Sequence, residues 1–479
     1  MSRINSNVSS LTAQRALAKS NTHLSDTLTR LSTGLRINRG ADDPAGLIAS
    51  ENLRSEISGI NQAIDNSERA SNVIATAEGA LTEVNNLLLN IKSLIIEAAN
   101  TGALSSEEIA ANQLQIDSAV ESITRISNTT TFAGLRLLDG SLDYITSGVS
   151  TSALTGFQIN SANFGDDPFI PVSVTVVTSA RPAELHYTLS ALQGDASTIE
   201  VAGPEGTETL TFREGATASE VMSGINLISD VTGVTVRYIN DANTQSGIAF
   251  ISNTYGSNAY VSVKAIGGGS FDSQDIDGNT TNRTIGQDAV ATINGALTRG
   301  DGLNIKLNTT SLDAELTLSE DFGIGATSFS LTGGGSLFQL GAKVSANQQV
   351  NIGIQSVAAS KLGNVDVGYL SDLGTGGDAS VLNDAGPARA AAIVEEAISQ
   401  VAQMRGRLGA FEKNTLDTNV NSLGVALENV TAAESGIRDA DFAQETAQLT
   451  RFQILQQAGT SVLATANSTP QSVLSLLQG

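Results

Sequence analysis

Apolar positions near the C-terminal end of the chain recur at alternating steps of three and four. This seven-residue repeat places them on one face of a helix that winds against a partner. No charged side chain occurs from residue 452 to residue 479, so the opposite face is polar but neutral. Such a helix either docks on its own domain or completes its folding only among other molecules, and we favour the second. The stripe consists of Phe452, Leu455, Gly459, Val462, Ala466, Thr469, Val473 and Leu476.

The N-terminal stretch repeats the same spacing, which predicts a helix over residues 4–35. Glycine residues between Gly34 and Gly40 end this helix, and a second long helix follows over about 44–99, with an Asp as N-cap and Pro44 in its first turn. Further helices are predicted over about 106–128 and from Pro387 to about 434, before the terminal helix begins near residue 440. The leucines of the first stripe are Leu17, Leu24, Leu28, Leu31 and Leu35.

Between these helices the pattern changes to period two, with frequent Gly and Thr, over residues 170–340, which predicts strands. Two helical ends therefore flank two helical shoulders, which flank one β-rich centre. We predict an α+β multidomain fold in which the N- and C-terminal regions form a long coiled-coil-like helical rod and the centre forms a β-rich head. The expected segments are 1–43, 44–174, 175–336, 337–434 and 435–479.

The net charge of −23 argues against nucleic acid and anionic membrane as partners. Cysteine is absent, which excludes a disulfide framework and thiolate chemistry. The first residues contain no apolar run long enough for a signal peptide or a membrane span. This pattern indicates either a cytosolic protein or a substrate of an export machine that needs no cleavable signal.

Candidate chemistry is sparse. Neither histidine, His23 nor His186, begins a metal-binding motif, and no phosphate loop or catalytic triad is visible. Asp42 and Asp43 could be paired carboxylates, but a helix cap that interacts with the helix dipole is the favoured interpretation. We therefore expect no enzyme activity, no catalytic residue, no metal and no cofactor.

The segments Thr33–Asn38, Ala41–Leu47 and Thr131–Gly140 lie near the start of the chain, and Ala432–Asp441 and Leu455–Gly459 lie near its end. In this order, these segments resemble the two ends of bacterial flagellin. The central segment Gly286–Gly295 is similar to the insert motif of that family. A hook–filament junction protein shares the terminal design, and a coiled-coil surface adhesin would also show heptads, so both stay as alternatives.

The resemblance implies a structural subunit that is exported unfolded and polymerises into the extracellular flagellar filament for motility. Segments 1–43 and 435–479 would pair as the inner helical domain, 44–174 and 337–434 would form the outer shoulder, and 175–336 would project as the insert. Identical subunits, the flagellar cap and junction proteins, and an export chaperone for the C-terminal region would be its partners.

The resemblance also implies roles for particular residues. Arg36, Arg39, Asp42 and Asp43 would form a charged joint between the layers of the tube. The expected self-assembly interface comprises Leu24, Leu28, Leu31, Leu35, Phe452, Leu455, Gly459, Val462, Ala466 and Leu476.

Many flagellins are recognised by a toll-like receptor through a Leu-Gln-Arg-x-Arg-Glu-Leu pattern on the second helix and a Glu on the third. At the matching positions this chain has Leu89, Asn90 and Gln115, which replace Gln, Arg and Glu of the family pattern. A neutral Asn cannot supply the charge-assisted hydrogen bonds of an Arg. We therefore expect this surface to bind the receptor weakly or not at all.

Overall fold

The computed structural model describes residues 6–165, 167–193, 195–240, 242–309, 311–383 and 385–478, with side chains described as far as residue 469. The chain forms two compact units, one of residues 1–69, 339–344 and 413–479 and the other of residues 70–338 and 345–412. None of the described helices combines the length and the apolar character that a membrane crossing requires.

The helices lie where the apolar periodicity predicts them, and two short additional helices lie in the centre. A π-helical turn, Glu412–Leu416, joins the sixth helix to the seventh. The helices are α1 Val8–Thr33, α2 Pro44–Ala98, α3 Ser106–Thr129, α4 Ala218–Asn226, α5 Ser229–Thr232, α6 Gly386–Phe411, α7 Asp417–Arg438 and α8 Phe442–Gln478.

The predicted helix boundaries have their expected chemical causes. Gly34 ends α1 in the left-handed conformation, with φ of 75°. Asp43 Oδ1 accepts the Gly46 amide at 2.9 Å in the first turn of α2. Ser105 and Glu108 form a capping box at α3, in which each side chain accepts the backbone amide of the other. These caps confirm the helix starts and stops predicted from the sequence.

The apolar stripes of the second unit form its helical core. On α2, six apolar residues at steps of three and four are all buried, as are Ile116 and Ile123 of α3; the six are Leu81, Val84, Leu88, Ile91, Ile95 and Ala98. On α6, Val401 and Leu408 are fully buried. The three-and-four spacing therefore identified the buried faces of these helices correctly.

The centre of the chain is built of antiparallel strands, as the period-two pattern predicts. The described strands are β1 Thr131–Phe132, β2 Leu135–Arg136, β3 Tyr144–Ser147, β4 Leu154–Ala162, β5 Ile170–Thr178, β6 Pro182–Tyr187, β7 Ser197–Ala202, β8 Thr207–Phe212, β9 Val234–Tyr238, β10 Ile248–Tyr255, β11 Tyr260–Gly267, β12 Arg283–Ile285, β13 Val290–Ile293, β14 Ala296–Leu297, β15 Arg299–Asp301, β16 Asn304–Asn308, β17 Leu312–Leu318, β18 Gly325–Gly334, β19 Ser336–Gln339, β20 Gln349–Ile352, β21 Gly363–Asn364 and β22 Gly368–Tyr369.

These strands pair non-sequentially into four larger sheets and two short hairpins. The sheet orders are β14-β13-β5-β18-β3, β15-β16-β17-β4-β20-β19, β12-β11-β7-β8 and β6-β10-β9, with the hairpins β1-β2 and β21-β22. The five- and six-stranded sheets bury one core between them, which we name the first β core. The four- and three-stranded sheets bury another with α4, which we name the second β core.

The first β core crosses the expected limits of the insert. Strands β3, β4 and β20 lie outside residues 175–336 but pair with strands inside that range or with one another. By contrast, the second β core lies wholly between Arg181 and Gln287. These two residues donate their backbone amides to each other's carbonyls, both at 2.9 Å. The second β core is therefore an insertion whose chain ends are held together.

We predict that deletion of residues 182–286, with a short Gly/Ser linker, leaves the first β core and the helices α1–α3 and α6–α8 folded. The retained ends are adjacent because an antiparallel backbone pair holds its Cα atoms about 5 Å apart. Because only the short helices α4 and α5 are removed, circular dichroism should show that the helical signal of the other six helices is retained, with one cooperative unfolding transition.

Deletion of residues 175–336 is the matched control. It cuts β5 and removes β13 and β18, so it should expose the first β core and increase dye binding. Equal behaviour of the two deletions would contradict the assignment of strands to the two cores.

Candidate assembly surface

The terminal helices α1 and α8 pack against each other as an antiparallel pair. Asn7 Nδ2 donates to the Ala466 carbonyl at 2.8 Å at one end of the pair. Near the other end, Leu35 and Asp439 form an antiparallel backbone bridge. Helices from the two ends of the sequence therefore form one helix pair within a single subunit.

The contact between these helices, which we name the terminal seam, combines small and larger side chains. On α1 seven of its buried and half-buried residues keep the three-and-four spacing: Ser10, Ala13, Leu17, Ser20, Leu24, Thr27 and Leu31. Gly459 of α8 faces Leu17, and an added Cβ there would lie 3.2 Å from Leu17 Cδ1. The absence of a side chain at Gly459 thus lets the helices approach closely.

The predicted stripe of α8 divides between two faces. Phe452, Gly459 and Ala466 are half-buried at the terminal seam. Leu455 and Val462 are 41% and 58% exposed. Thr469 is also exposed, and the side chain of Leu476 lies outside the described residues. The seven-residue repeat of α8 therefore includes both residues that contact α1 and residues that are exposed on the surface of the subunit.

The α1 stripe divides in the same way. Leu24, Leu31 and Leu35 are half-buried, whereas Leu28 is 49% exposed. Further apolar residues that the stripes did not include are exposed on the two helices, namely Val8, Leu11 and Ile454. The apolar period identified both helices but could not assign each leucine to a face.

A partly buried ion pair lies within the terminal seam. Arg30 Nη1 is 3.3 Å from Glu445 Oε1, and the Glu445 side chain is only 7% exposed. The second carboxylate oxygen of Glu445 is buried without a hydrogen-bond partner among the described residues. A single-residue slip of either helix would leave this carboxylate unpaired, so the pair opposes changes of register.

Of the four predicted joint residues, Arg36, Asp42 and Asp43 form side-chain hydrogen bonds to the backbone, whereas the Arg39 side chain pairs with Asp26. Arg36 donates to the Ile437 carbonyl, and Arg39 lies 3.5 Å from Asp26. Asp42 Oδ2 accepts the amides of Asn38 and Arg39 at 3.0 and 2.9 Å. The hydrogen bond from the Arg39 amide, followed by that from Asn38, lowers the pKa of Asp42.

A second cation strengthens the same region. Arg438 Nη1 lies 2.7 Å from Glu51 Oε1. Buried beneath the turn, Ile37 is only 1% exposed. A Cβ at Gly46 would meet the Ile37 side chain at 2.7 Å, so Gly46 makes room for it. Sequence reasoning missed the buried Ile37, and it missed the pair of Glu51 and Arg438, which are 387 residues apart along the chain.

The residues that match the receptor pattern are all on the surface. Leu89 and Asn90 are exposed on α2, beside the buried Leu88. Gln115 is exposed on α3, and so is its apolar neighbour Leu114. All three pattern positions are therefore accessible to a second protein.

Comparisons with known proteins agree over the whole length of the chain. The model of the bacterial flagellin N-terminal helical region matches residues 4–143, and that of the C-terminal helical region matches residues 391–477. The chain is 33% identical to B-type flagellin of Pseudomonas aeruginosa and 31% identical to flagellin of Salmonella rubislaw. Each match covers 99% of both chains.

Solved structures give weaker matches. The flagellar junction protein FlgL from Legionella pneumophila is 15% identical, with a TM-score of 0.28, over 81% of this chain and 99% of that chain. The D2-D3 domains of the flagellar cap protein FliD from Escherichia coli are 18% identical, with a TM-score of 0.28, over 40% and 98%. Matches at these TM-scores do not establish a shared fold.

We predict that Asp42→Ala loosens the turn that leads into α2. The substitution removes the acceptor of two backbone amides, so the amides of Asn38 and Arg39 should exchange hydrogen faster. Because folding lowers the pKa of Asp42, its contribution to stability is present above pH 3.8 and is lost as pH falls through the folded-state pKa. The variant should therefore lose part of the acid dependence of unfolding.

Glu56→Ala, at an exposed position of α2, is the control and should change neither measurement. If Asp42→Ala left the exchange of both amides unchanged, the turn would not depend on this carboxylate.

Proposed function

Because the chain belongs to the bacterial flagellin family, we propose that its paired terminal helices form the surface through which identical subunits polymerise. Flagellins are structural proteins and not enzymes, and this chain is a structural subunit of the flagellar filament. The match to flagellins over the full length does not favour a junction protein or a surface adhesin.

The observation that supports this surface most directly is the exposed apolar residues outside the terminal seam. Val8, Leu11 and Leu28 on α1, and Leu455 and Val462 on α8, remain in contact with water in the single subunit. Burial of apolar surface contributes roughly 25 cal/mol per Å². Neighbouring subunits that cover these residues would gain this free energy. On α8 from residue 452 onward they would not have to desolvate a charged side chain, because none is present.

We propose the following division into layers. Segments 1–43 and 435–479 form the inner helical domain, and segments 44–174 and 337–434 form the outer shoulder. Segment 175–336 is the solvent-exposed insert, with strands of the first β core completing it from both sides. Arg36, Asp42 and Asp43 hold the joint between inner domain and shoulder through hydrogen bonds to the backbone, and Arg39 through its ion pair with Asp26.

The finer partners belong to the same proposal. The subunit would be exported unfolded without a cleavable signal peptide and would meet the cap and junction proteins at the filament ends. An export chaperone would cover the C-terminal region before assembly, because the apolar side chains of α8 outside the terminal seam would otherwise associate prematurely.

We predict that Val462→Asp prevents polymerisation but leaves the subunit folded. Val462 is 58% exposed in the single subunit, so the substitution should change neither circular dichroism nor the unfolding temperature. In the polymer it would bury an unpaired carboxylate at a cost of about 3–5 kcal/mol for each subunit. Sedimentation should show a critical concentration raised at least a hundredfold.

Thr209→Asp, on an exposed strand position far along the chain, provides the matched charge control and should polymerise normally. A normal filament yield from Val462→Asp would show that this face stays in solvent.

The receptor surface gives a separate prediction. The unmodified chain should bind the toll-like receptor weakly, because Asn90 replaces an Arg of the family pattern. Loss of such a hot spot costs about 2–4 kcal/mol, or roughly thirty-fold to a thousand-fold in affinity. Asn90→Arg combined with Leu89→Gln should increase the affinity in a direct titration of monomer.

The control for this gain is Gln62→Arg, which adds the same charge to an exposed position of α2 outside the pattern. Tight binding by the unmodified chain, or an equal gain from the control, would show that the pattern does not govern recognition.

A further inference from the structure

The five-stranded sheet differs from its neighbours in electrostatic character. We name it the neutral sheet, because none of the described residues of β3, β5, β13, β14 and β18 is charged. The chain as a whole is 16% charged. The neutral character of this sheet extends over strands from distant parts of the sequence, so it is a property of the folded surface.

One face of the neutral sheet closes the first β core and the other faces solvent. Along β5, Val172, Val174 and Val176 are buried, while Ser173 and Thr175 between them are exposed. The pairing register brings further hydroxyl and small residues beside these two. The exposed and half-buried positions of the outer face are Ser147, Pro171, Ser173, Thr175, Val177, Val290, Thr292, Leu297, Ala326, Ser328, Ser330 and Thr332.

The outer faces of the other larger sheets carry charges. Lys306 pairs with Glu315 at 2.7 Å on the six-stranded sheet. Lys264 pairs with Glu200 at 2.7 Å on the four-stranded sheet. On the three-stranded sheet, Glu184 lies 4.0 Å from Arg237. Ion pairs on strands are the ordinary way to keep a solvated sheet surface from associating, and the neutral sheet lacks this protection.

The neutral sheet also ends in an apolar corner at an open edge. Leu297 of the two-residue edge strand β14 is 71% exposed. It stands opposite Thr292 in the register of β13, and Val290 and Val177 are exposed nearby on the same outer face. An edge strand without Lys, Pro or an inward charge is a surface suited to contact with another protein.

We propose that the outer face of the neutral sheet is a lateral contact between the heads of neighbouring subunits in the filament. This inference rests on the proposed function. Two copies that each carry a net charge of −23 repel one another. A contact is least costly where neither copy must desolvate a charge or place like charges face to face.

The chemistry of the face selects a second copy over other partners. Nucleic acid or an anionic membrane would require cationic side chains, and a basic protein would require carboxylates. The short hydroxyl side chains of Ser173, Thr175 and Ser328 keep the face flat and can donate or accept hydrogen bonds. An identical neutral face, or another uncharged face of the same subunit, meets both requirements.

The chain contains no cysteine, so a single introduced thiol reports on one position. Thr175→Cys places it at the centre of the neutral sheet, and Thr209→Cys places it on β8 of the charged four-stranded sheet. Both positions are exposed in the single subunit. Maleimide labelling rates should therefore be similar in the two monomers. Polymerisation should slow labelling at position 175 at least tenfold and at position 209 less than twofold.

Equal labelling of both positions in filaments would overturn the proposal. Filament formation by each variant is recorded separately by electron microscopy. Filaments that form normally but leave position 175 reactive would refute the lateral contact alone. If the unmodified chain did not polymerise, the proposed function would fail and this contact would fail with it.

Two further measurements distinguish a protein contact from a covalent modification that covers the same face. Thr175→Lys should lower the melting temperature of filaments by several degrees relative to Thr209→Lys, while the monomers melt alike. Mass spectrometry of peptides with Ser173 and Thr175 from native filaments should give unmodified masses. A sugar mass on these residues would show that a modification covers the face, which would overturn the proposal.

Discussion

The antiparallel contact between α1 and α8 is the constraint on which the organisation of the chain depends. It brings the first and last segments of the chain together, so the polypeptide between them must run away from this helix pair and come back to it. The contact combines Ser, Ala, Thr and Gly with leucines and Phe452, and Gly459 allows the helices to approach at Leu17. Other apolar side chains of the same helices, such as Leu28 and Val462, remain exposed outside this seam. The partly buried pair of Arg30 and Glu445 fixes the register of the two helices but contributes little to stability.

The sequence predicted the helices well because their determinants are local. The left-handed Gly34, the Asp43 cap and the Ser105–Glu108 box each act within one turn of helix. The division of the α8 stripe could not be predicted. The terminal seam uses Phe452, Gln456, Gly459, Leu463 and Ala466, a repeat shifted from that of the apolar residues. Which of two adjacent positions faces inward depends on where a partner 415 or more residues away lies on the helix.

The limits of the β region were harder to predict for the same reason. Alternation shows that β5 is a strand, but not that β13 and β18 flank it, or that β3 joins from before the expected insert. The local sequence signal for a hairpin in this sheet is Asn294-Gly295. The φ angles of these residues, 50° and 82°, form the tight turn between β13 and β14. The Asn294 side chain also accepts the Ser173 amide at 2.8 Å and thereby ties this turn to β5. The hairpin can be predicted from adjacent residues, whereas its place in the sheet depends on strands that are distant in the sequence.

The distribution of charge unites the two proposed contacts. An acidic chain that polymerises must meet its own copies at high local concentration, where like charges at close range are destabilising. Screening at physiological salt acts over about 8 Å and cannot relieve charges inside a contact. The chain has uncharged surface both on α8 from residue 452 onward and on the neutral sheet, and the ion pairs between its described strands lie on the other larger sheets. Neutral surface at two places is the arrangement that lets subunits with a large net charge pack closely while the rest of each subunit stays well solvated.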